Sequence, residues 1–230
     1  FQGMRFPLAN WLERWLFKLV ECLTILRLDH SWVLTADDYD AVPKFARKKC
    51  AIQEGYGFGC DIEHFDPARF SEIDKAKLRS ELGIPDQDLV FVFVGRLTAF
   101  KGFPLALEAF QQLREERDDV HFLVVGEPDP QHSWDLPDLN SLEGVKYVGW
   151  QDDPAPYLAI TNAMVFPSER EGMPVCLMEA LSMGIPIVTT DSRGCRELAE
   201  LSAAVVTELS VDSILAALRA GSCASKVTFN

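Results

Sequence analysis

Two long apolar runs restrict this 230-residue chain more than any other feature: Leu89-Val-Phe-Val-Phe-Val94 and Val120-His-Phe-Leu-Val-Val125, each followed by glycine. A strand with one wet face alternates apolar and polar residues, so a run apolar at nearly every position reads as a strand buried on both faces. Between them, residues from Pro104 to about Arg117 carry Leu105, Leu107, Ala109, Phe110 and Leu113 at helical spacing. The alternation continues: strands are expected at 145–148, 163–166, 185–189 and 203–206, and helices at 155–161, 174–183, 193–200 and 211–219. Proline at 174 and glycine at 184 bound the second of these helices, one suiting a first turn and the other a helix end. Strands and helices in this order predict an α/β domain over residues 57–220 with a doubly wound, parallel, Rossmann-like sheet. Ligands of such sheets sit beyond the carboxyl ends of the strands, which directs attention to the segments after Val94, Val125, Val148, Phe166 and Thr189.

The preceding residues read differently. Residues from about 7 to 28 place Leu8, Trp11, Leu12, Trp15, Leu16, Leu19, Val20, Leu23 and Leu26 at helical spacing. Such a helix either packs on a domain or lies at a lipid interface with its two tryptophans among headgroups. A short strand at 31–35 and a helix capped by Asp37 and running to about Lys49 follow. Gly55-Tyr-Gly-Phe-Gly59 then reads as a linker. The expected division is residues 1–3 as a cleaved-tag remnant, 4–56 as an N-terminal helical segment, 57–220 as the α/β domain and 221–230 as a tail.

A net charge of −13 repels polyanions and argues against nucleic acid as a partner. An anionic small molecule would need a local cationic pocket, so the few cations at strand ends carry information. Six cysteines form no Cys-x-x-Cys pair or zinc spacing, and reduced thiols in a cytoplasmic setting are expected. No apolar run is long enough to span a bilayer.

Two strand ends stand out. After the first run comes Gly95-Arg-Leu-Thr-Ala-Phe-Lys-Gly102, which puts Arg96 and Lys101 beside a helix N-terminus. Two cations and unpaired backbone N–H groups suit a diphosphate; two solvated surface cations are the plainer reading. After the strand at 163–166 comes Ser168-Glu-Arg-Glu-Gly-Met-Pro-Val-Cys-Leu-Met-Glu-Ala180. Glu171 precedes the helix. Glu179 lies about two turns on among Leu177, Met178, Ala180 and Leu181, where an unpaired carboxylate is costly. Adjacent ribose hydroxyls could satisfy it, and Glu171 could do the same for sugar hydroxyls. The plainer readings are a partly exposed helix position for Glu179 and dipole stabilisation for Glu171. Gly172 allows close backbone approach.

A glutamate pair with seven intervening residues, preceded by Pro-Ser and followed by Ala-Leu-Ser-Met-Gly-Ile-Pro-Ile-Val-Thr-Thr-Asp, resembles the family-four retaining glycosyltransferases of the GT-B fold. Val-Gly-Arg-Leu-Thr-Ala-Phe-Lys-Gly upstream, Thr35-Ala-Asp-Asp-Tyr39, Gly57-Phe-Gly-Cys-Asp61, Val148-Gly-Trp-Gln-Asp-Asp153 and Gly194-Cys-Arg-Glu197 match in order, over roughly residues 30–200. The resemblance implies that Arg96 and Lys101 hold the diphosphate of a nucleotide sugar and, with Glu171, form the catalytic set. It implies that Glu171 takes the transferred sugar and Glu179 the ribose. The backbone of Gly172, Met173 and Pro174 would line sugar and phosphate, and residues 148–150 would face the base. A UDP-sugar is the implied substrate, transferred with retention and without metal to a glycan or lipid-linked acceptor in bacterial polysaccharide biosynthesis, in the cytoplasm or at its membrane face. The pattern departs from the family's in two places. Too few residues precede the linker for a first GT-B domain, so 4–56 reads as its remnant, with the acceptor half expected on a separate polypeptide. An Asp-Gly-x-x-Gly loop expected after Gly194-Cys-Arg-Glu-Leu198 is missing. The alternatives are a nucleotide-sugar-binding module without catalysis, a degenerate paralogue, and another GT-B activity such as epimerisation.

Overall fold

In a computed structural model the chain is described over residues 11–52, 59–130, 135–200, 202 and 204–223. The tag residues, the first turn expected from residue 7, linker residues 53–58 and the tail from 224 lie outside the described residues. The chain divides into two compact units, residues 1–59 with 171–174, and residues 60–170 with 175–230.

The smaller unit runs α1 (Trp11–Arg27), β1 (Ser31–Val33), α2 (Ala36–Ala41), a 3-10 turn at Arg47–Lys49 and β2 (Cys50–Ile52), with β1 and β2 parallel. Thr35, rather than Asp37, caps α2: its hydroxyl accepts from the Asp38 N–H at 3.1 Å. The helix stops at Ala41 instead of running to Lys49, because Pro43 holds Val42 in extended backbone. Ile25, Val33, Val42, Ala46 and Cys50 form a small core, with Phe17, Tyr39 and Ala41 against it. Lys49 Nζ donates to the carbonyls of Leu26 and Leu28, satisfying the end of α1. Most apolar residues of α1 lie outside this core. Trp11 is 80% exposed and Trp15 62%, and Leu12, Leu16, Val20 and Leu23 are half exposed or more. Apolar surface of this extent marks a face made to be covered.

The larger unit contains α3 (Glu72–Glu81), β3 (Leu89–Val94), α4 (Phe103–Glu116), β4 (Val120–Val125), β5 (Val145–Gly149), α5 (Ala155–Ala159), β6 (Ala163–Phe166), α6 (Val175–Ser182), β7 (Ile187–Thr190), α7 (Arg193–Glu200), β8 (Val205–Thr207) and α8 (Val211–Cys223). Its six strands form one parallel sheet in the order β5-β4-β3-β6-β7-β8. This is the doubly wound sheet expected from the apolar runs, and its strand order reverses between β3 and β6. Every residue of β4 is buried, His121 included. Rings join the layers: Phe93 meets Phe103 at 5.0 Å and Phe166 at 5.6 Å, and Phe110 stacks on Phe122 at 5.2 Å. Cys195 is buried in α7 and Cys176 is half buried on α6, and neither joins a disulfide among the described residues.

His121 interrupts the apolar run of β4 because it has a partner. Its Nε2 lies 2.9 Å from Asp88 Oδ2, just ahead of β3, and both side chains are nearly buried. Burial lowers the imidazole pKa despite the opposing pull of Asp88. The folded state therefore favours neutral histidine. Stability is full above the unfolded histidine pKa of about 6.5 and is lost as pH falls through the lower folded value. Melting midpoints measured from pH 8 downward should fall across that window, and His121→Gln should flatten the slope. An unchanged slope in the variant would place the acid sensitivity elsewhere.

Candidate functional site

The reversal of strand order puts the carboxyl ends of β3 and β6 side by side, the position where open α/β sheets hold ligands. Beyond Val94 the backbone stays close to the chain after β4: Gly95 N–H donates to Val125 O and Leu97 N–H to Glu127 O, each at 2.9 Å. This approach requires Gly126, whose φ is +142° and whose hypothetical Cβ would stand 1.9 Å from Gly95 O. A 3-10 turn at Ala99–Lys101 then leads through Gly102, at φ +73°, into α4. A Cβ on Gly102 would lie 1.9 Å from Pro167 O, so the loops after β3 and β6 touch backbone to backbone. The Phe100 carbonyl completes the join, accepting from the Glu169 N–H at 2.9 Å and lying 3.1 Å from the Ser168 hydroxyl.

Three cations gather at this join around the Phe100 ring. Arg170 Cζ lies 4.9 Å from its centroid, Arg96 Cζ 5.6 Å and Lys101 Nζ 5.9 Å; Lys101 also lies 5.3 Å from the Phe166 ring. Arg96 Nη1 is 2.6 Å from Asp129 Oδ2, a nearly buried carboxylate that fixes the guanidinium while over half of its side chain stays exposed. Arg96 and Lys101 are thus brought together as expected. Arg170, Phe100 and Asp129 were not foreseen from the sequence. Arg170 was legible by the rule that selected Arg96, being a cation within four residues of a strand end. Like charges repel, and drawing three around one ring in a chain of net charge −13 makes a local site that favours an anion. The positive end of the α4 helix dipole adds to the same polarity.

Glu179 sits on α6, whose Leu177, Met178 and Ala180 are buried. Burial raises its carboxyl pKa, His64 opposes the rise and Asp153 adds to it. His64 Nε2 is 2.8 Å from Asp153 Oδ1. His64 and Asp153 thus both act on Glu179.

Glu171, Gly172, Met173 and Pro174 lie on the chain between β6 and α6 and group by contacts with the smaller unit. Met173 is buried, and Glu171 and Gly172 are half buried. At the end of β5, Trp150 is largely exposed and its indole N–H donates to Asp152 Oδ1 at 3.1 Å.

Residues 88–220 match the protein family described as Glycosyl transferases group 1. The chain is 30% identical over 169 residues to the UDP-Gal:alpha-D-GlcNAc-diphosphoundecaprenol alpha-1,3-galactosyltransferase of Escherichia coli, covering 70% of this chain and 42% of that protein. It is 32% identical over 155 residues to the amylovoran biosynthesis glycosyltransferase AmsK of Erwinia amylovora, covering 62% of this chain and 37% of AmsK. Among solved structures, Anabaena HepE in complex with UDP and glucose superposes with a TM-score of 0.73 at 20% identity, over 89% of this chain and 56% of HepE. At that identity the likeness shows the fold, an α/β architecture with a parallel six-stranded sheet as in GT-B structures. The chain spans about half the length, or less, of the curated relatives it matches.

Proposed function

Because this chain belongs to the glycosyl transferases group 1 family, we propose that it is the nucleotide-sugar-binding part of a family-four retaining glycosyltransferase, using a UDP-sugar in polysaccharide biosynthesis. The observation that carries this reading is the cationic cluster of Arg96, Lys101 and Arg170 around Phe100 at the reversal of strand order. A departing nucleoside diphosphate develops charge on its bridging oxygen. Fixed guanidinium and ammonium groups stabilise that charge without reorganising, in place of a metal ion. The HepE complex with UDP and the name of the Escherichia coli relative support uridine as the base.

Arg96 and Lys101 hold the diphosphate in this reading, and Arg170 adds a third positive group. Glu179 accepts hydrogen bonds from the ribose hydroxyls and Glu171 from the sugar. Gly172, Met173 and Pro174 line sugar and phosphate, and Trp150 stands toward the base. Glu179→Ala should weaken UDP binding about tenfold or more, the loss of hydrogen bonds to a charged group. Glu171→Ala should leave UDP binding intact and lower the added affinity of the UDP-sugar. Calorimetry with UDP and a panel of UDP-sugars reads both, and unchanged UDP affinity in the Glu179 variant would remove it from the site.

Transfer also needs an acceptor. The exposed apolar face of α1 and the roughly twofold greater length of the relatives support an acceptor-binding half that covers this face. Residues 4–56 are then the closing part of that half. The acceptor is a glycan or a lipid-linked sugar at the cytoplasmic membrane face. No helix among the described residues is long and apolar enough to cross a membrane. Liposome flotation of the chain without that half should show no association. Flotation would instead assign α1 to the lipid surface.

A second reading is a module that binds nucleotide sugar and transfers nothing. Activity restored when the acceptor-binding half is supplied excludes it. Binding without turnover in every pairing supports it.

A further inference from the structure

We infer that His64, held by Asp153, is a positioning residue for Glu179: it supplies the counter-charge that lets this half-buried carboxylate receive the ribose hydroxyls. The inference rests on the reading of Glu179 as the ribose ligand. It starts from how strongly the position of His64 is determined. Asp61 Oδ1 accepts from the backbone N–H groups of Glu63 and His64 at 3.1 and 3.0 Å, forming a turn that sets the His64 backbone. The His64 carbonyl accepts from Arg69 Nη1. The imidazole stands edge-on to Phe65 at 5.0 Å, and Phe65 is itself buried. Its Nε2 meets Asp153 Oδ1 at 2.8 Å, while the same oxygen accepts from the Ala155 N–H at 3.0 Å at the start of α5. Finally, the Ser182 hydroxyl donates to the Phe65 carbonyl at 3.1 Å, tying this turn to α6 one helical turn beyond Glu179.

A half-exposed histidine does not need five such constraints for packing alone. They bring the imidazole within electrostatic range of Glu179, which is the sole charged residue of α6. The charge balance explains why a cation is wanted there. Burial and Asp153 both favour the protonated form of Glu179, and His64 favours the ionised form. Glu179 in turn raises the Cys60 thiol, after burial; Asp61 adds to that rise, and the Ser182 hydrogen bond opposes it. Burial acts against the ionised form of Asp153 too, but the hydrogen bonds from His64 and the Ala155 N–H, with the charges of His64 and Arg69, outweigh it and hold its pKa low. Asp153 thus stays an anion that keeps His64 in place. A protonated Glu179 would present an O–H and one weaker acceptor to a pair of ribose hydroxyls. An ionised Glu179 presents two strong acceptors. His64 therefore acts on the nucleotide through Glu179, without touching it.

The test is calorimetric binding of UDP-glucose, whose diphosphate diester does not titrate in the working window, from about pH 8 to 5. Affinity falls as pH drops through the raised Glu179 pKa. Removing His64 moves that fall to higher pH. His64→Gln is expected to weaken binding about fivefold on the acid limb and to shift that limb upward. His64→Arg, a permanent cation of comparable reach, is expected to keep the affinity and to leave the limb in place or lower it. Melting curves establish that both variants fold. If Glu179→Gln weakens binding while His64→Gln changes neither affinity nor limb, the inference is overturned and the ribose reading stands. If Glu179→Gln binds as the parent does, the ribose reading falls and the inference falls with it. A loss in His64→Gln that His64→Arg fails to rescue, with no shift of the limb, marks a packing role and also overturns it.

Discussion

Arg96→Ala combined with Lys101→Ala should remove the preference for UDP over uridine. Each side chain offers a charge-assisted contact of about 1.5–3 kcal/mol, so the pair accounts for about 3–6 kcal/mol, a loss of two orders of magnitude or more in UDP affinity. Uridine, which lacks the diphosphate, should bind the double variant as it binds the parent. The remaining affinity for UDP should depend less on salt, because exposed charges carried the screened part of the attraction. Arg96→Lys with Lys101→Arg preserves charge and should retain part of the preference. Arg96 carries a second consequence, since Asp129 loses an ion partner at 2.6 Å when it is removed. A nearly buried carboxylate stripped of that partner costs stability. Melting should therefore be compared between Arg96→Ala and Lys101→Ala, and only the former should soften. A double variant that still discriminates UDP from uridine would place the diphosphate elsewhere.

Gly126→Ala should be strongly damaging at the sheet's functional edge. The added methyl would stand 1.9 Å from Gly95 O, a backbone atom with no rotamer to give, and φ is +142°. Overpacking of about 1–3 kcal/mol and backbone strain of about 1–3 kcal/mol act together, on the order of 4 kcal/mol. That is a large share of the stability of an ordinary domain. The separation of β3 and β4 at their carboxyl ends would also move Arg96 away from Asp129. Gly149 provides the control. Its φ is +70°, but a Cβ there meets nothing within 4 Å, so Gly149→Ala should cost only about 1–2 kcal/mol. Denaturant midpoints of the two variants should differ clearly. Equal midpoints would mean that the β3–β4 approach relaxes without penalty.

Elements buried on both sides were the easiest to read. β3, β4 and β6 are apolar runs in the sequence because the sheet covers both of their faces, and α7 begins and ends at the expected residues. α3 went unread for the opposite reason. It has no buried residue and carries charge at most positions, so its periodicity is faint; its one local mark is the capping box of Ser71 and Asp74. β2 is three residues of Cys-Ala-Ile, too short to show a period, and it exists because β1 offers a parallel edge. α2 is shorter than the expected helix because Pro43 restricts the residue before it to extended backbone.

The site shows the same division. Arg96, Lys101 and the two glutamates could be singled out because charge in apolar surroundings, or at a strand end, is visible along a chain. Their partners could not. Asp129 is 33 residues from Arg96, and Asp153 is 89 from His64. Arg96 meets Asp129 because parallel strands return to the same edge after each crossover, and strand order decides which loops become neighbours. The apolar pattern determined that the chain forms a buried parallel sheet and which strand ends would carry charge. Only the tertiary structure decided that the third cation joins the first two around Phe100, and that Glu179 answers to His64. The reason is physical: burial leaves a periodic mark on each segment by itself, whereas electrostatic partnership depends on distances that folding alone creates.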